Sequence, residues 1–143
     1  MDIKEFAEKY IKAEEDAFQK GDFTALEELE DPNVVYHMSS FGDLVGHEGH
    51  KQNIMSSHQL ASDIKQEWKY LTGEGNLFAL SYTARYISKG NIPGMPPEGK
   101  EAYRDALFLL RLEHGKVVEV WNNGSWKGVD VEVVLNSLKS SRL

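Results

Sequence analysis

Few side chains in this sequence can do chemistry, and their spacing limits what that chemistry is. His37 closes a β-branched run, Val34-Val35-Tyr36-His37, and shares a strand face with Val35. That places it toward an interior, where an imidazole titrating near neutrality suits proton transfer. The alternative is a buried neutral histidine bonded to a backbone carbonyl. Asn122 ends the run Val117-Val118-Glu119-Val120-Trp121-Asn122. Its amide donates and accepts at once, so it can hold a carbonyl or an enolate, but it takes no proton at neutral pH. Otherwise it is a pocket amide that only satisfies its neighbours. Arg104 falls on the face of Asn122. Turned inward, it needs an anionic partner or a ligand carboxylate; near a strand end, it snorkels to solvent. Trp68, Tyr82, Tyr86 and Phe108, with Val120 beside Asn122, can line a pocket for a flat apolar ligand or simply pack the core. His58 follows Ile54 by one helical turn and is either a further ligand contact or a satisfied core histidine.

These residues give a catalytic pair, His37 and Asn122, and a ligand-binding set of Trp68, Tyr82, Tyr86, Arg104, Phe108, Val120 and His58. No metal site is expected. His47-Glu48-Gly49-His50 spaces its histidines i, i+3, one short of the i, i+4 pair of a zinc-binding helix, and no third ligand is evident. Glu48 fits better in the first turn of a helix, where the macrodipole favours an anion. The stretch Gly94-Met95-Pro96-Pro97-Glu98-Gly99-Lys100 is no phosphate cradle, because its prolines remove backbone donors. His114 belongs to a hairpin turn and is expected to be solvated.

The elements that must position these groups follow from periodicity. Ile3, Phe6, Ala7, Tyr10, Ala13, Ala17 and Phe18 recur at helical spacing until Gly21-Asp22. A short helix over residues 23–29 stops before Asp31-Pro32. A strand covers residues 34–38, a loop 39–46, and a third helix 48–61 with Ile54, Met55, His58 and Ala61 near one face. The period then becomes two. Ile64, Gln66, Trp68 and Tyr70 point inward, as do Phe78, Leu80, Tyr82, Ala84 and Tyr86 of a strand over 77–88. Residues 102–112 and 117–123 form a hairpin around Glu113-His114-Gly115, with Leu112 opposite Lys116 and Ala106 opposite Asn122. Its outer face holds Tyr103, Asp105, Arg111, Glu119 and Trp121. A last helix spans 130–138. Helices first and a curved, mostly antiparallel sheet after them predict an α+β fold with helices on the concave face.

The chain has 143 residues, which fits one domain over residues 1–143. It carries 16 basic and 23 acidic residues, a formal charge of −7, which disfavours nucleic acid and anionic membranes as partners. No cysteine is present, so thiolate catalysis and disulfides are excluded. The N-terminus is charged and shows no signal-like or membrane-spanning run, so a cytoplasmic location is expected.

Five pieces in order resemble the SnoaL-like polyketide cyclase (ester cyclase) family of the nuclear transport factor 2-like superfold. They are Gly21-Asp22-Phe23 with Leu26 and Leu29, residues 31–37, Val45-Gly46-His47-Glu48-Gly49, the Pro-Pro loop at 94–100, and Arg111 with Gly115-Lys116-Val117-Val118-Glu119. The resemblance implies a cone-shaped domain with a ligand cavity. It also implies acid and base residues that this chain lacks. Where active members carry histidine, tryptophan and aspartate on the last strand, Val120, Trp121 and Asn122 stand. Ser88 and Phe108 replace a histidine and an acidic or histidine position on other strands. The ketosteroid isomerase form of the fold is disfavoured, since its base position finds only Met38, Ser39 and Ser40.

The expected function is binding of a small apolar molecule, with cofactor-independent isomerase, cyclase or dehydratase chemistry on a carbonyl compound. In that reading His37 is the base, and Asn122, with Tyr82 or Tyr86, stabilises the oxyanion. The alternatives are a non-catalytic binding module and a dimeric interaction module. A homodimer is expected through the outer sheet face at Leu107, Leu109 and Trp121.

Overall fold

In a computed structural model, residues 2–39 and 42–140 are described; Ser40 and Phe41, within the stretch expected as loop, lie outside them. The chain order is α1 (Ile3–Lys20), α2 (Thr24–Leu29), β1 (Glu30–Met38), β2 (Gly42–Val45), α3 (Gly46–Leu60), β3 (Ala61–Glu74), β4 (Leu77–Ser88), β5 (Glu101–Glu113), β6 (Lys116–Lys127) and α4 (Val131–Ser140). The strands form one curved sheet in the order β2-β1-β6-β5-β4-β3. Only β1 and β6 run parallel.

Helix α1 begins where the Asp2 carboxylate accepts the Glu5 N–H at 2.8 Å and ends at Gly21 in the left-handed region. It buries Phe6, Ala7, Tyr10, Ala13 and Ala17, and the alanines let it lie close to the sheet. Glu14 is buried on the same stripe. Strands β4 and β5 alternate buried and exposed residues with almost no exception, as one covered face demands. Fully buried Phe78, Leu80, Leu110, Val117 and Val120 form the tight end of the core. Each contributes on the order of 1.5–3 kcal/mol by leaving water.

Four local expectations need correction. Residues 42–45 are a strand rather than loop, pairing with β1. β1 starts at Glu30, before Pro32, because the parallel edge with β6 opens at Glu30 and resumes at Val35. In α3 the buried residues are His47, His50 and Ile54, whereas Met55 is 46% exposed. The last hairpin turns on two residues, His114 and Gly115, both at positive φ, so Glu113 faces Lys116. A bulge after Arg111 then sets Phe108 opposite Asn122 and Ala106 opposite Gly124. Relative to the expected register this is a shift of two residues from Arg111 onward, away from the turn, which keeps Arg104, Ala106, Phe108, Leu110, Val120 and Asn122 on their expected face. On the turn side of the bulge, Val117 is buried in place of the expected Val118.

The loop between β4 and β5 closes on itself. Ser88 Oγ donates to the Pro96 carbonyl at 2.6 Å and accepts the Gly90 N–H at 3.0 Å. Gly94, at φ +93°, lies against α4: a Cβ there would sit 2.8 Å from Val134 and 2.7 Å from the Asp130 carbonyl, so no larger residue fits.

Candidate functional site

The inner face of the sheet carries two polar groupings. The first lies where α1 and α3 meet β1. Glu30 has no exposed side-chain surface, and its Oε1 lies 2.9 Å from His47 Nδ1. His50 Nδ1 lies 3.0 Å from both Glu30 oxygens, and its Nε2 lies 3.1 Å from Glu14 Oε1. The Tyr10 hydroxyl donates to Glu14 Oε1 at 2.9 Å and shares a 2.5 Å contact with the Tyr36 hydroxyl. The Tyr36 ring lies over the His50 ring at 4.0 Å.

Burial by itself would strip the proton from His50. The charges and hydrogen bonds of Glu14 and Glu30 outweigh it and push its pKa up to about 10. Burial likewise opposes the charge on Glu30, but His50, with Tyr36 and His47, holds its carboxyl below the ordinary range. Burial first, then the carboxylates, raises both Tyr10 and Tyr36, so these phenols stay neutral donors. His47 and His50 thus spend their Nδ1 atoms on a carboxylate. Among the described residues no group of three or more His, Cys, Asp or Glu is placed to hold a metal ion.

The second grouping spans β3 to β6. Trp68 lies 4.4 Å from Tyr82 and 5.1 Å from Phe108 between ring centres, and Tyr82 lies 5.6 Å from Phe108. Gln66 Nε2 donates to the Tyr82 hydroxyl at 2.8 Å, and the Tyr82 and Tyr86 hydroxyls are 3.3 Å apart. Arg104 Nη2 donates to Asn122 Oδ1 at 2.9 Å, and its guanidinium sits 5.3 Å over the Trp126 ring. Asn122 Nδ2 reaches only Met38 Sδ, a weak acceptor, at 3.3 Å. Burial raises the pKa of Tyr82 and of Tyr86; for Tyr86 the Tyr82 hydrogen bond and the Arg104 charge oppose it. Burial also lowers that of Arg104, against the pull of Tyr86, Tyr82 and Asp105.

Exposure changes across one level of the sheet. Leu80, Leu110 and Val120 are at 0%, whereas Tyr82, Phe108 and Asn122 keep 6%, 7% and 5%. Tyr86 and Arg104, further along, keep 8% and 4%. These inner-face residues are buried but keep a small exposed fraction, which those at the tight end of the core do not.

Of the residues singled out from the sequence, Trp68, Tyr82, Tyr86, Arg104, Phe108 and Asn122 come together here. Arg104 does not snorkel: it lies mid-strand on the inner face. Val120 lies one level below, packed between Tyr36 and Leu110 in the sheet, and is core. His58 sits in the last turn of α3 with its ring 6.3 Å from Phe18, and its carbonyl accepts from Lys89, so its contacts lie elsewhere.

His37 is the main correction. The inward residues of β1 are Val34 and Tyr36, at 0% and 1%, so His37 is on the outer face, opposite to Asn122. There its Nδ1 lies 3.1 Å from Asp43 and its Nε2 2.7 Å from Glu119, and its ring stacks on Trp121. Glu119 and then Asp43, through these hydrogen bonds, raise its pKa. The parity error came from pairing His37 with Val35, which is only half-buried. A groove of about 630 Å³ is lined by Lys65, Glu67, Arg85, Tyr103, Asp105 and Lys127 of the outer face together with Gln66, Ala84 and Arg104. It is open and charged, and none of Trp68, Tyr82, Tyr86 and Phe108 lines it.

Sequence reasoning missed Glu14, Glu30, Gln66 and Trp126 as site residues. Glu14 was detectable, since it falls on the apolar stripe of α1 one turn after Tyr10. Trp126 was hidden because β6 runs four residues past the expected end at 123.

Residues 8–124 match the family model of the SnoaL-like polyketide cyclase. A comparison with curated proteins gives no match. Among solved structures, the fold is similar to that of IdmH from Streptomyces antibioticus, a candidate polyketide cyclase. The identity is 24% and the TM-score 0.70, over 94% of this chain and 98% of that one. TsrD from Streptomyces laurentii gives 18% identity and a TM-score of 0.72, over 96% and 97%. TerC, crystallised with polyporic acid, gives 15% and 0.65, over 84% and 91%. At these identities the likeness is one of fold.

Proposed function

The chain belongs to the SnoaL-like polyketide cyclase family, and on that premise we propose that it binds a small carbonyl-bearing molecule among Trp68, Tyr82, Tyr86, Arg104, Phe108 and Asn122. One observation carries this reading: beyond the level of Leu80, Arg104 Nη1, Trp68 Nε1 and Gln66 Oε1 are buried without hydrogen-bond partners among the described residues. Asn122 Nδ2 and Arg104 can each hold a carbonyl oxygen, and the rings supply apolar walls. TerC, similar in fold, was crystallised with polyporic acid, which is compatible with such a ligand.

Binding without turnover is the version the geometry favours. The inner-face histidines and carboxylates Glu14, Glu30, His47 and His50 are committed to one another, and His37 is outside. Among the described residues that leaves donors at the hollow and no free base. Catalysis is the second reading, favoured by the Tyr82–Tyr86 hydroxyl pair beside Arg104. A cofactor-independent isomerase, cyclase or dehydratase would then draw its proton donor from that pair and hold an enolate on Asn122.

The test is thermal shift against a panel of cyclic ketones and hydroxyquinones, with mass analysis of every ligand recovered. Binding that disappears in Asn122→Leu and leaves ligands unchanged in mass and retention supports a binding module. Conversion lost in Tyr82→Phe supports the enzyme. Binding indifferent to both substitutions overturns the site.

The outer face is proposed as a contact between two copies of this chain. Tyr103, Leu107 and Leu109 are 44%, 59% and 41% exposed in one row on β5. The adjoining groove mixes Lys65, Arg85 and Lys127 with Glu67 and Asp105, a pattern that can complement itself about a twofold axis. Among the described residues no helix is long and apolar enough to cross a membrane. The reading sets the protein in the cytoplasm, which fractionation of cells expressing the tagged chain would check.

A further inference from the structure

Arg104 is a buried cation to which, among the described residues, no carboxylate is hydrogen-bonded. Only 4% of its surface is exposed, yet its Nη2 donates to the neutral Asn122 amide, and among the described residues Nη1 is buried with no acceptor. The neighbouring Asp105 lines the same groove as Arg104 and its charge favours the guanidinium, but among the described residues no hydrogen bond or ion pair joins the two. Glu14 and Glu30 are held by His50, His47 and Tyr10. Among the described residues, a chain of net charge −7 therefore leaves this buried guanidinium with no carboxylate at ion-pair distance. Burying an unpaired charge is among the most costly arrangements in a protein, so such a group is kept where something else supplies the opposite charge.

What would supply it is limited by the neighbours. Arg104, whose Nη1 is empty, is bonded through Nη2 to Asn122, and the Nδ2 of that amide has only a thioether sulfur as its present partner. These two donors can take the two oxygens of one planar oxyanion. Trp126 stacks on the guanidinium, and Trp68, Tyr82 and Phe108 follow as flat apolar surface. Two further buried atoms without partners, Trp68 Nε1 and Gln66 Oε1, offer one donor and one acceptor along that surface. This is the reverse of the requirements of a neutral hydrocarbon, which would leave all four atoms unsatisfied.

We propose that the ligand of this hollow is a planar aromatic or conjugated carboxylate, its carboxylate held by Arg104 Nη1 and Asn122 Nδ2 and its ring system against Trp68, Tyr82 and Phe108. The inference rests on the binding site proposed above and narrows its ligand from a neutral carbonyl compound to an organic acid.

The experiment pairs acids with isosteric amides: benzoate, 2-naphthoate and anthracene-2-carboxylate against the corresponding carboxamides. Binding is read by calorimetry and by quenching of tryptophan fluorescence at pH 7. At least one acid is expected to bind about tenfold to a hundredfold more tightly than its amide, the worth of a charge-assisted bond. The preference should vanish in Arg104→Met and survive in part in Arg104→Lys. Without ligand, Arg104→Met is expected to melt no lower than the parent, because an unpaired buried cation has been removed. Acids and amides binding equally well would overturn the charge requirement and leave the binding site standing. Failure of every acid and amide to bind the parent chain would overturn both. A clear fall in melting temperature for Arg104→Met, with no acid preference in the parent, would assign Arg104 to the fold alone.

Discussion

The two polar groupings inside this sheet are built from similar materials and differ in how completely they are satisfied. Where α1 and α3 meet β1, two carboxylates, two imidazoles and two phenols close on one another. Across β3 to β6, a guanidinium, two amides and two phenols leave several polar atoms without partners. Both are buried, so burial alone does not distinguish a fastening from a binding site. The difference is whether each charge meets its opposite within the chain. A satisfied network holds elements together, whereas an unsatisfied one asks for something from outside.

The strongest test of this comparison is Glu30→Ala. It leaves His50 and His47 without their shared carboxylate and should cost about 3–5 kcal/mol in urea denaturation, as breaking one side of a buried ion pair does. A loss below about 1 kcal/mol would mean that this network is not a fastening. The pH profile should come next in size. The folded pKa of His50 is raised to about 10 from 6.5, so its contribution is complete below 6.5 and fades as pH rises toward 10. Glu30 has a lowered folded pKa, so its contribution is complete above about 4.5 and fades as pH falls through the folded value. A melting temperature that is highest between those limits and falls on both sides is expected. A His50→Gln variant should lose the alkaline limb.

Tyr10→Phe should cost less, about 1–3 kcal/mol, since it withdraws one donor from Glu14 and one partner from Tyr36. On the outer face, Leu107→Asp with Leu109→Asp should leave the melting temperature of dilute protein almost unchanged while shifting sedimentation toward monomer. Sedimentation identical to the parent would remove that face from consideration. His37→Ala should have the smallest effect, within about 1 kcal/mol. Its partners Asp43 and Glu119 are part-exposed, and solvent screens the pairs. If that substitution abolished ligand binding, the assignment of faces on β1 would be wrong.

Much of the architecture was legible in the sequence, because β3, β4 and β5 alternate and α1 carries an unbroken stripe. The site was half legible. Trp68, Tyr82, Tyr86, Arg104, Phe108 and Asn122 were placed on the correct face since alternation survives a two-residue error in register. His37 was misplaced because β1 offers only a short apolar run, Val34-Val35-Tyr36, in which neither parity stands out. Tyrosine at 36 being the innermost residue is settled by partners from α1 and α3, which no local pattern records. The Glu14–His50–Glu30 network was missed for the same reason. Its members are spread over 37 positions of the chain, from 14 to 50, on three elements, and charged residues read locally as solvated.

The parallel pairing of β1 with β6 has a consequence for synthesis. Residues about 85 positions apart must meet, so the first strand leaves the ribosome long before its central neighbour exists. Until that neighbour arrives, the carboxylates and imidazoles of the first fifty residues remain in water and cannot lock. The nascent chain should therefore stay protease-sensitive through most of its translation and become resistant abruptly once the final hairpin has emerged.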